Sequence, residues 1–192
     1  MILKQVAGVD VAHNELVVTL GRIDSDLNTE FYQHEVFKNT ELCFCTFLVC
    51  LKKYTDEKVG IRVAMEATGN YHQKFAYFLN DKSYQVSIIF PNKISNFKRT
   101  LDLKTITDKS MSEAIAMFGL SRKLDNWKKS KSEYRTIQQL SRERNQIVDE
   151  RSQVKNQLHA ERLEAFPNKK SIQRLESRIV FLNGQEFEIA RA

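Results

Sequence analysis

The feature that most constrains this chain is the order in which its apolar periodicities change. Three strand-like runs come first, and only later do helical and strand-like segments alternate. Residues 4–12 set Val6, Val9 and Val11 around Gly8 and Asp10, the pattern of a short buried strand. His13-Asn14-Glu15 is a tight connection to a second run, Leu16-Val17-Val18-Thr19-Leu20. Residues 29–37 then place Phe31, Gln33, Glu35 and Phe37 on one face and Tyr32, His34 and Val36 on the other. Links this short predict an antiparallel meander. Residues 40–54 have helical spacing through Leu42, Cys45, Phe47, Leu48 and Leu51. A buried strand over 59–65 ends at Glu66, a helix over 71–80 carries Phe75, Phe78 and Leu79, and a strand over 84–90 is closed by Pro91.

Hairpins first and α/β alternation afterwards predict a ribonuclease-H-like mixed sheet with flanking helices, not a uniformly alternating doubly wound sheet. Thr107 is the expected N-cap of a helix starting at Asp108, with Met111, Ala114, Ile115 and Phe118 on one apolar face and Gly119 as its stop. This α/β domain is assigned to residues 1–125. A different regime follows. Residues 134–163 contain no Gly or Pro, and Leu140, Ile147 and Val154 recur every seven residues, with Ile137 and Leu158 in the alternate register. Phe166-Pro167-Asn168 breaks this helix, and Ile172, Leu175, Ile179 and Leu182 mark a shorter one. Residues 126–182 are therefore expected to form an antiparallel helical, coiled-coil hairpin, and residues 183–192 a disordered tail. Six Gly and two Pro argue against a turn-dense all-β fold, while 12 Phe and 6 Tyr suffice for a core. No apolar run approaches the roughly 20 residues that span a bilayer, and the N-terminus lacks a signal-peptide layout. A cytoplasmic protein without membrane contact is expected.

Charge is unevenly spread. Residues 1–120 hold 14 basic and 14 acidic side chains, whereas residues 121–178 hold 15 and 8. A concentrated basic segment is the electrostatic footprint of a polyanion partner. Arg142, Arg144, Arg151 and Lys155 are the candidate phosphate contacts; a solvated helix face is the competing reading. Trp127 and Tyr134 suit base stacking less well than docking on apolar neighbours. Cys43, Cys45 and Cys50 lack the paired spacing of a zinc site and read as reduced, buried thiols on a helix. The four histidines have no metal spacing either, and His72 reads as a helix-capping residue. Gly8-Val9-Asp10 continues into Val11-Ala12-His13, without the glycines and hydroxyls of a phosphate loop.

A carboxylate among valines is costly to bury unless it is paired or binds a cation, which singles out Asp10. Glu66 lies past the end of the fourth strand, and strand ends are where sites gather in open sheets. If strands one and four are neighbours, Asp10 meets Glu66, and Asp108 at the start of the later helix is a third partner. Converging carboxylates suit Mg²⁺ or Mn²⁺, which can clamp both oxygens of a phosphodiester displacement.

The segments Gly8-Val9-Asp10-Val11-Ala12, Met65-Glu66-Ala67-Thr68-Gly69-Asn70-Tyr71, Pro91-Asn92-Lys93-Ile94-Ser95-Asn96-Phe97 and Lys104-Thr105-Ile106-Thr107-Asp108-Lys109 carry a resemblance, as do Glu113-Ala114-Ile115-Ala116 and the basic stretch from Gln138 to His159. Over about residues 5–182 the chain resembles the N-terminal part of the DEDD transposases of bacterial insertion sequences, the group that includes pilin-inversion and bridge-RNA-guided recombinases. The resemblance implies a RuvC-like fold and four acidic ligands for Mg²⁺ or Mn²⁺. Asp10, Glu66 and Asp108 take three of those places. The fourth falls on Met111, with Ser112 one position on as a weak substitute ligand. Lys104 and Lys109 join the hairpin arginines as expected nucleic-acid contacts. DNA, a guide RNA and further copies of the chain, as a dimer or tetramer, are the implied partners in a bacterial cytoplasm. The family continues into a C-terminal domain that supplies a nucleophilic serine, and this chain stops about where that domain would start. The implied function is therefore the N-terminal part of a DNA recombinase, incomplete without that second domain. The alternative is a non-catalytic nucleic-acid-binding or dimerisation module, with Met111 marking lost metal chemistry; a coiled-coil assembly protein without nucleic acid is a third.

Overall fold

Successive side chains on a strand point to opposite faces, and β1 (Ile2–Val11) uses both. Ala7, Val9 and Val11 pack into one buried cluster with Phe37, Phe44, Phe47, Phe75 and Leu79. Val6 belongs to a second cluster with Ala64, Ile89, Ile94, Ile115 and Phe118. The computed structural model describes residues 1–67, 69–101 and 107–192, and the chain divides into two units, Met1–Lys129 and Ser130–Ala192.

The first unit is built on a five-stranded sheet in the order β3-β2-β1-β4-β5. β1, β2 (Glu15–Asp24) and β3 (Thr29–Lys38) form the expected antiparallel meander. β4 (Arg62–Glu66) joins β1 in parallel, with Val6 opposite Arg62 and Val9 opposite Met65, and β5 (Gln85–Ile89) joins β4 in parallel. This is the mixed, ribonuclease-H-like sheet anticipated from the order of periodicities. α1 (Glu41–Tyr54) and α2 (His72–Asp81) cover the first face through the interlocked rings of Phe44, Phe47 and Phe75, with centroids 4.9 and 5.0 Å apart. Each such side chain, once buried, contributes roughly 1.5–3 kcal/mol.

The other face carries α4 (Asp108–Ser121). Its start is set by a reciprocal cap: the Thr107 hydroxyl accepts from the Ser110 backbone, and the Ser110 hydroxyl accepts from the Thr107 N–H. Its far end is tied by the Lys4 ammonium, which donates to the Leu120 and Arg122 carbonyls at 3.2 and 2.6 Å. Between these ties the helix lies close on β1. A Cβ on Gly8 would stand 2.3 Å from both the Ala116 nitrogen and the Ser112 carbonyl oxygen. Gly119 is not the helix stop expected of it. It sits inside α4, where a Cβ would meet Val6 at 2.7 Å; close packing, not termination, calls for the glycine. A further helix was not anticipated: α3 (Pro91–Arg99) begins on Pro91 itself, since proline suits the first helical position. Trp127 closes this unit, donating its backbone N–H to Val86 at 2.7 Å and setting its ring edge-on to Tyr77. The unit accordingly extends to Lys129, which pairs with Asp81, rather than ending at residue 125. Cys50 is buried as expected, but Cys45 is exposed, because Phe44, Phe47 and Leu51 supply the buried face of α1.

The second unit pairs α5 (Ser132–Leu163) with α6 (Lys169–Ile189), joined through Asn168, whose side chain accepts from the Lys170 and Ser171 N–H groups. The cross-pairs Arg144–Glu186, Glu150–Arg178 and Arg162–Glu176 run in opposite senses, so the helices are antiparallel. Ile147 and Val154 bury against Leu182, with Leu175, Ile179 and Ile189 alongside. Ile137, by contrast, is 59% exposed, because α5 outruns the shorter α6. The expected disordered tail from residue 183 is helix as far as Ile189. Its heptad continues through 175, 179, 182, 186 and 189, with Glu186 in place of an apolar residue and satisfied by Arg144 and Arg151. No helix among the described residues is long and apolar enough to cross a membrane.

Candidate metal and nucleic-acid site

The pairing register carries Gly8 and Asp10 of β1 to the side of the sheet that α4 covers, opposite the aromatic cluster. Parallel pairing of Gly8 with Ala64 and Val9 with Met65 brings Glu66 to the same end as Asp10. α4 runs counter to β1: Gly119 lies over Val6, Ser112 and Ala116 over Gly8, and Asp108 one turn earlier toward Asp10. Three carboxylates thus converge at one end of the sheet although 98 residues separate the outer two. Burial first, then the negative charges of Asp108 and Glu66, push the Asp10 carboxyl up to about 6, with Lys98 and the Val11 N–H opposing. Burial also raises Glu66, and Lys98 again opposes.

Lys98, in the last turn of α3, is the residue that the sequence reading missed. Its ammonium donates to the Met111 thioether sulfur at 2.7 Å, at the position where a fourth acid was expected. The Ser112 hydroxyl, expected as a substitute ligand, is buried, 2.7 Å from the Thr19 hydroxyl, and donates to the Lys109 carbonyl at 2.8 Å. No group of three or more His, Cys, Asp or Glu among the described residues stands at cation-holding spacing. Carboxylate oxygens are the donor type that Mg²⁺ or Mn²⁺ prefers, and those of Asp10 and Glu66 are partly desolvated, while Asp108 is exposed.

The basic candidates separate into two kinds. Arg151 donates to Asn183 at 2.9 Å and pairs with Glu186, which also holds Arg144 at 2.8 Å. Arg151 is drawn into the helix seam, whereas Arg144 reaches Glu186 from its edge with half of its side chain exposed. Arg142 and Lys155 are exposed and have no ion-pair partner among the described residues. Lys109 is exposed beside Asp108 and reaches Glu113 at 3.9 Å. Lys104 lies outside the described residues. Beyond the acids, Tyr71 sets its ring edge-on to His13 at 5.4 Å, and its carbonyl accepts from Asn39, forming the wall of an open groove that Lys74 also lines. His72 is buried at the start of α2.

A transposase family profile, that of the DEDD type of insertion sequence 110, matches residues 7–167. The chain is 26% identical over 153 residues to the pilin gene-inverting proteins of Moraxella bovis and Moraxella lacunata. Each alignment takes in 78% of this chain and 46% of the relative, so the chain spans about half the length of the curated relatives it matches. Among solved structures, it is similar to Thermus thermophilus RuvC in complex with a Holliday junction substrate (TM-score 0.42, 15% identity, 59% of this chain and 90% of that one). It is also similar to a fowlpox virus resolvase with Holliday junction DNA (TM-score 0.42, 12% identity, 60% and 98%).

Proposed function

This chain belongs to the DEDD transposases of the insertion-sequence-110 type, and from that membership we propose that it acts as the N-terminal part of a DNA recombinase. In this reading Asp10, Glu66 and Asp108 hold a divalent cation, Mg²⁺ or Mn²⁺, against a DNA phosphate. The observation that carries it is the convergence of those carboxylates from β1, β4 and α4 at one end of the sheet, where Asp10 is held up to about 6 by burial and its acidic neighbours. When bound, the cation would supply charge to polarise a phosphodiester and its attacking oxygen. The chain's own residues do the rest. The Thr107–Ser110 cap fixes the end of α4 that presents Asp108, and Lys109 beside it offers a phosphate contact. Arg142 and Lys155 offer a separate pair of cationic contacts on α5. The same contacts would accept a guide RNA, since phosphate contacts do not read sequence. A dimer or tetramer in the cytoplasm is the expected assembly. Titration calorimetry of the chain and of Asp10→Asn with Mn²⁺ is the test: binding lost or weakened at least about tenfold supports the reading, and identical isotherms remove it.

Met111 favours a second reading, a nucleic-acid-binding or dimerisation module that no longer catalyses, because a thioether is a poor ligand for a hard cation. Both readings expect salt-sensitive DNA binding. Each phosphate contact lowers the slope of log affinity against log salt by roughly 0.9. Replacing Arg142 and Lys155 by Ala is therefore expected to flatten the slope by about two, measured by fluorescence anisotropy on duplex DNA. Arg151→Ala should act differently. It leaves Glu186 without its less exposed partner and is expected to lower hairpin stability by roughly 1–2 kcal/mol in thermal unfolding. An unchanged salt slope in the first variant would move the DNA surface elsewhere.

A further inference from the structure

Gly8, Thr19 and His34 stand opposite one another across β1, β2 and β3, in a row on the side of the sheet that α4 crosses. Ser112 is the residue of α4 that meets this row. Its carbonyl oxygen lies so near Gly8 that a Cβ there would stand 2.3 Å away. Its buried hydroxyl is 2.7 Å from that of Thr19, which is buried too. The Thr19 hydroxyl lies in turn 3.2 Å from Nδ1 of the half-buried His34. At the other end, the Ser112 hydroxyl donates to the Lys109 carbonyl at 2.8 Å. A hydroxyl has one proton to donate, and this fixes the sense of every bond in the row. The Ser112 proton goes to Lys109, so Thr19 must donate to Ser112. The Thr19 oxygen then accepts from His34, whose Nδ1 must carry a hydrogen.

We propose that His34, Thr19 and Ser112 form a one-way hydrogen-bond chain that seats the first turns of α4 on the sheet, which makes them positioning residues for Asp108. The role given to Asp108 rests on the metal reading above; the sense of the chain does not. The Thr107–Ser110 cap sets where α4 begins, not how the helix is turned on the strands. Asp108 and Ser112 are four residues apart and share a helix face. A bond that turns Ser112 toward Thr19 therefore turns Asp108 to the same side. Lys4 ties the far end of the helix, so the hydroxyl chain governs the end that carries the acid. An isolated pair of hydroxyls can bond in either sense. Here reversal would take the Ser112 proton away from the Lys109 carbonyl and require a bare Nδ1 on His34, so a single arrangement satisfies every group.

Nitrogen-15 NMR of the whole chain, with the His34 ring neutral, is expected to show the Nδ1–H tautomer, and an Nε2–H ring overturns the chain. Thr19→Val removes the central hydroxyl at nearly constant shape. In chelator, amide hydrogen exchange at Met111 and Ser112 is expected to quicken at least about tenfold, with Gly119 and Leu120 at the Lys4 end unaltered. No change, or equal acceleration along all of α4, overturns the seating. Mn²⁺ binding, followed by electron paramagnetic resonance, reads the positioning of Asp108. Thr19→Val and His34→Leu are expected to weaken it at least about tenfold. His34→Asn, whose amide can donate from the δ position, should restore it. Thr19→Val combined with Ser112→Ala leaves no hydroxyl unpaired, so stability should largely return while Mn²⁺ binding does not. Recovery of both would reduce the hydroxyls to packing and overturn the positioning role. Where Thr19→Val alone does not fold, the double variant takes its place in the exchange measurement. If the parent binds no Mn²⁺ while the tautomer and exchange results hold, the metal reading of Asp108 fails and the seating chain stands.

Discussion

Gly8→Ala is expected to destabilise the sheet unit by about 3 kcal/mol, among the largest effects of any single methyl in this chain. The added carbon would lie 2.3 Å from two backbone atoms of α4, the Ala116 nitrogen and the Ser112 carbonyl oxygen. Backbone cannot rotate aside as a side chain can, so the helix must lift from the strand, and overpacking of this kind costs about 1–3 kcal/mol or more. Gly119→Ala is the control. There the new carbon meets a Val6 methyl at 2.7 Å, and alanine's better helix propensity, roughly 1 kcal/mol, offsets part of the clash. Urea unfolding of the two variants should rank Gly8→Ala well below Gly119→Ala. A Gly8→Ala loss under about 1 kcal/mol would mean that α4 does not rest on β1 as described.

The second large effect concerns Asp10→Asn and has opposite signs for function and stability. In the folded chain the Asp10 carboxyl is raised from an ordinary 3.8 to about 6, by burial and then by Asp108 and Glu66. The folded state therefore holds this proton more tightly than the unfolded state. The stability associated with the protonated group is complete below about pH 4 and is lost as pH rises through about 6. Above that range the ionised carboxylate works against folding. Allowing for solvent screening of a partly exposed group, asparagine should remove about 1–2 kcal/mol of that cost. Chemical unfolding near neutral pH should show the variant more stable than the parent, with the gain vanishing toward about pH 4. The same substitution should remove Mn²⁺ binding. A variant less stable at neutral pH would show that the carboxylate is held by favourable bonds and not crowded by charge.

The meander, the later alternation and the convergence of Asp10, Glu66 and Asp108 were legible because each rests on a local signal: period-two runs, short links, and acids at strand ends or helix starts. What escaped the sequence depends on what stands opposite. Pro91 stops a strand and starts a helix with equal ease, so α3 went unseen, and with it Lys98, an ordinary surface lysine until Met111 is placed beside it. Gly119 has the composition of a helix end but the contacts of a close approach. Arg144 and Arg151 share the basic stretch with Arg142 and Lys155, and only the position of Glu186 across the seam distinguishes them. Glu186 itself hid the last turns of α6, because a carboxylate in a heptad core position looks like the end of the repeat.

The aromatic mass of the sheet unit lies under α1 and α2, while the acids occupy the face beneath α4. The candidate site thus shares its side of the strand with a second, smaller core, while the larger aromatic core lies opposite. A lineage could lose carboxylates from the second side while the aromatic core on the first continued to hold the sheet and its helices together. Such a protein would keep its shape, its anchored helices and its cationic hairpin long after its reactivity had drifted. Selection on scaffold and selection on reaction could then part company within a single β1.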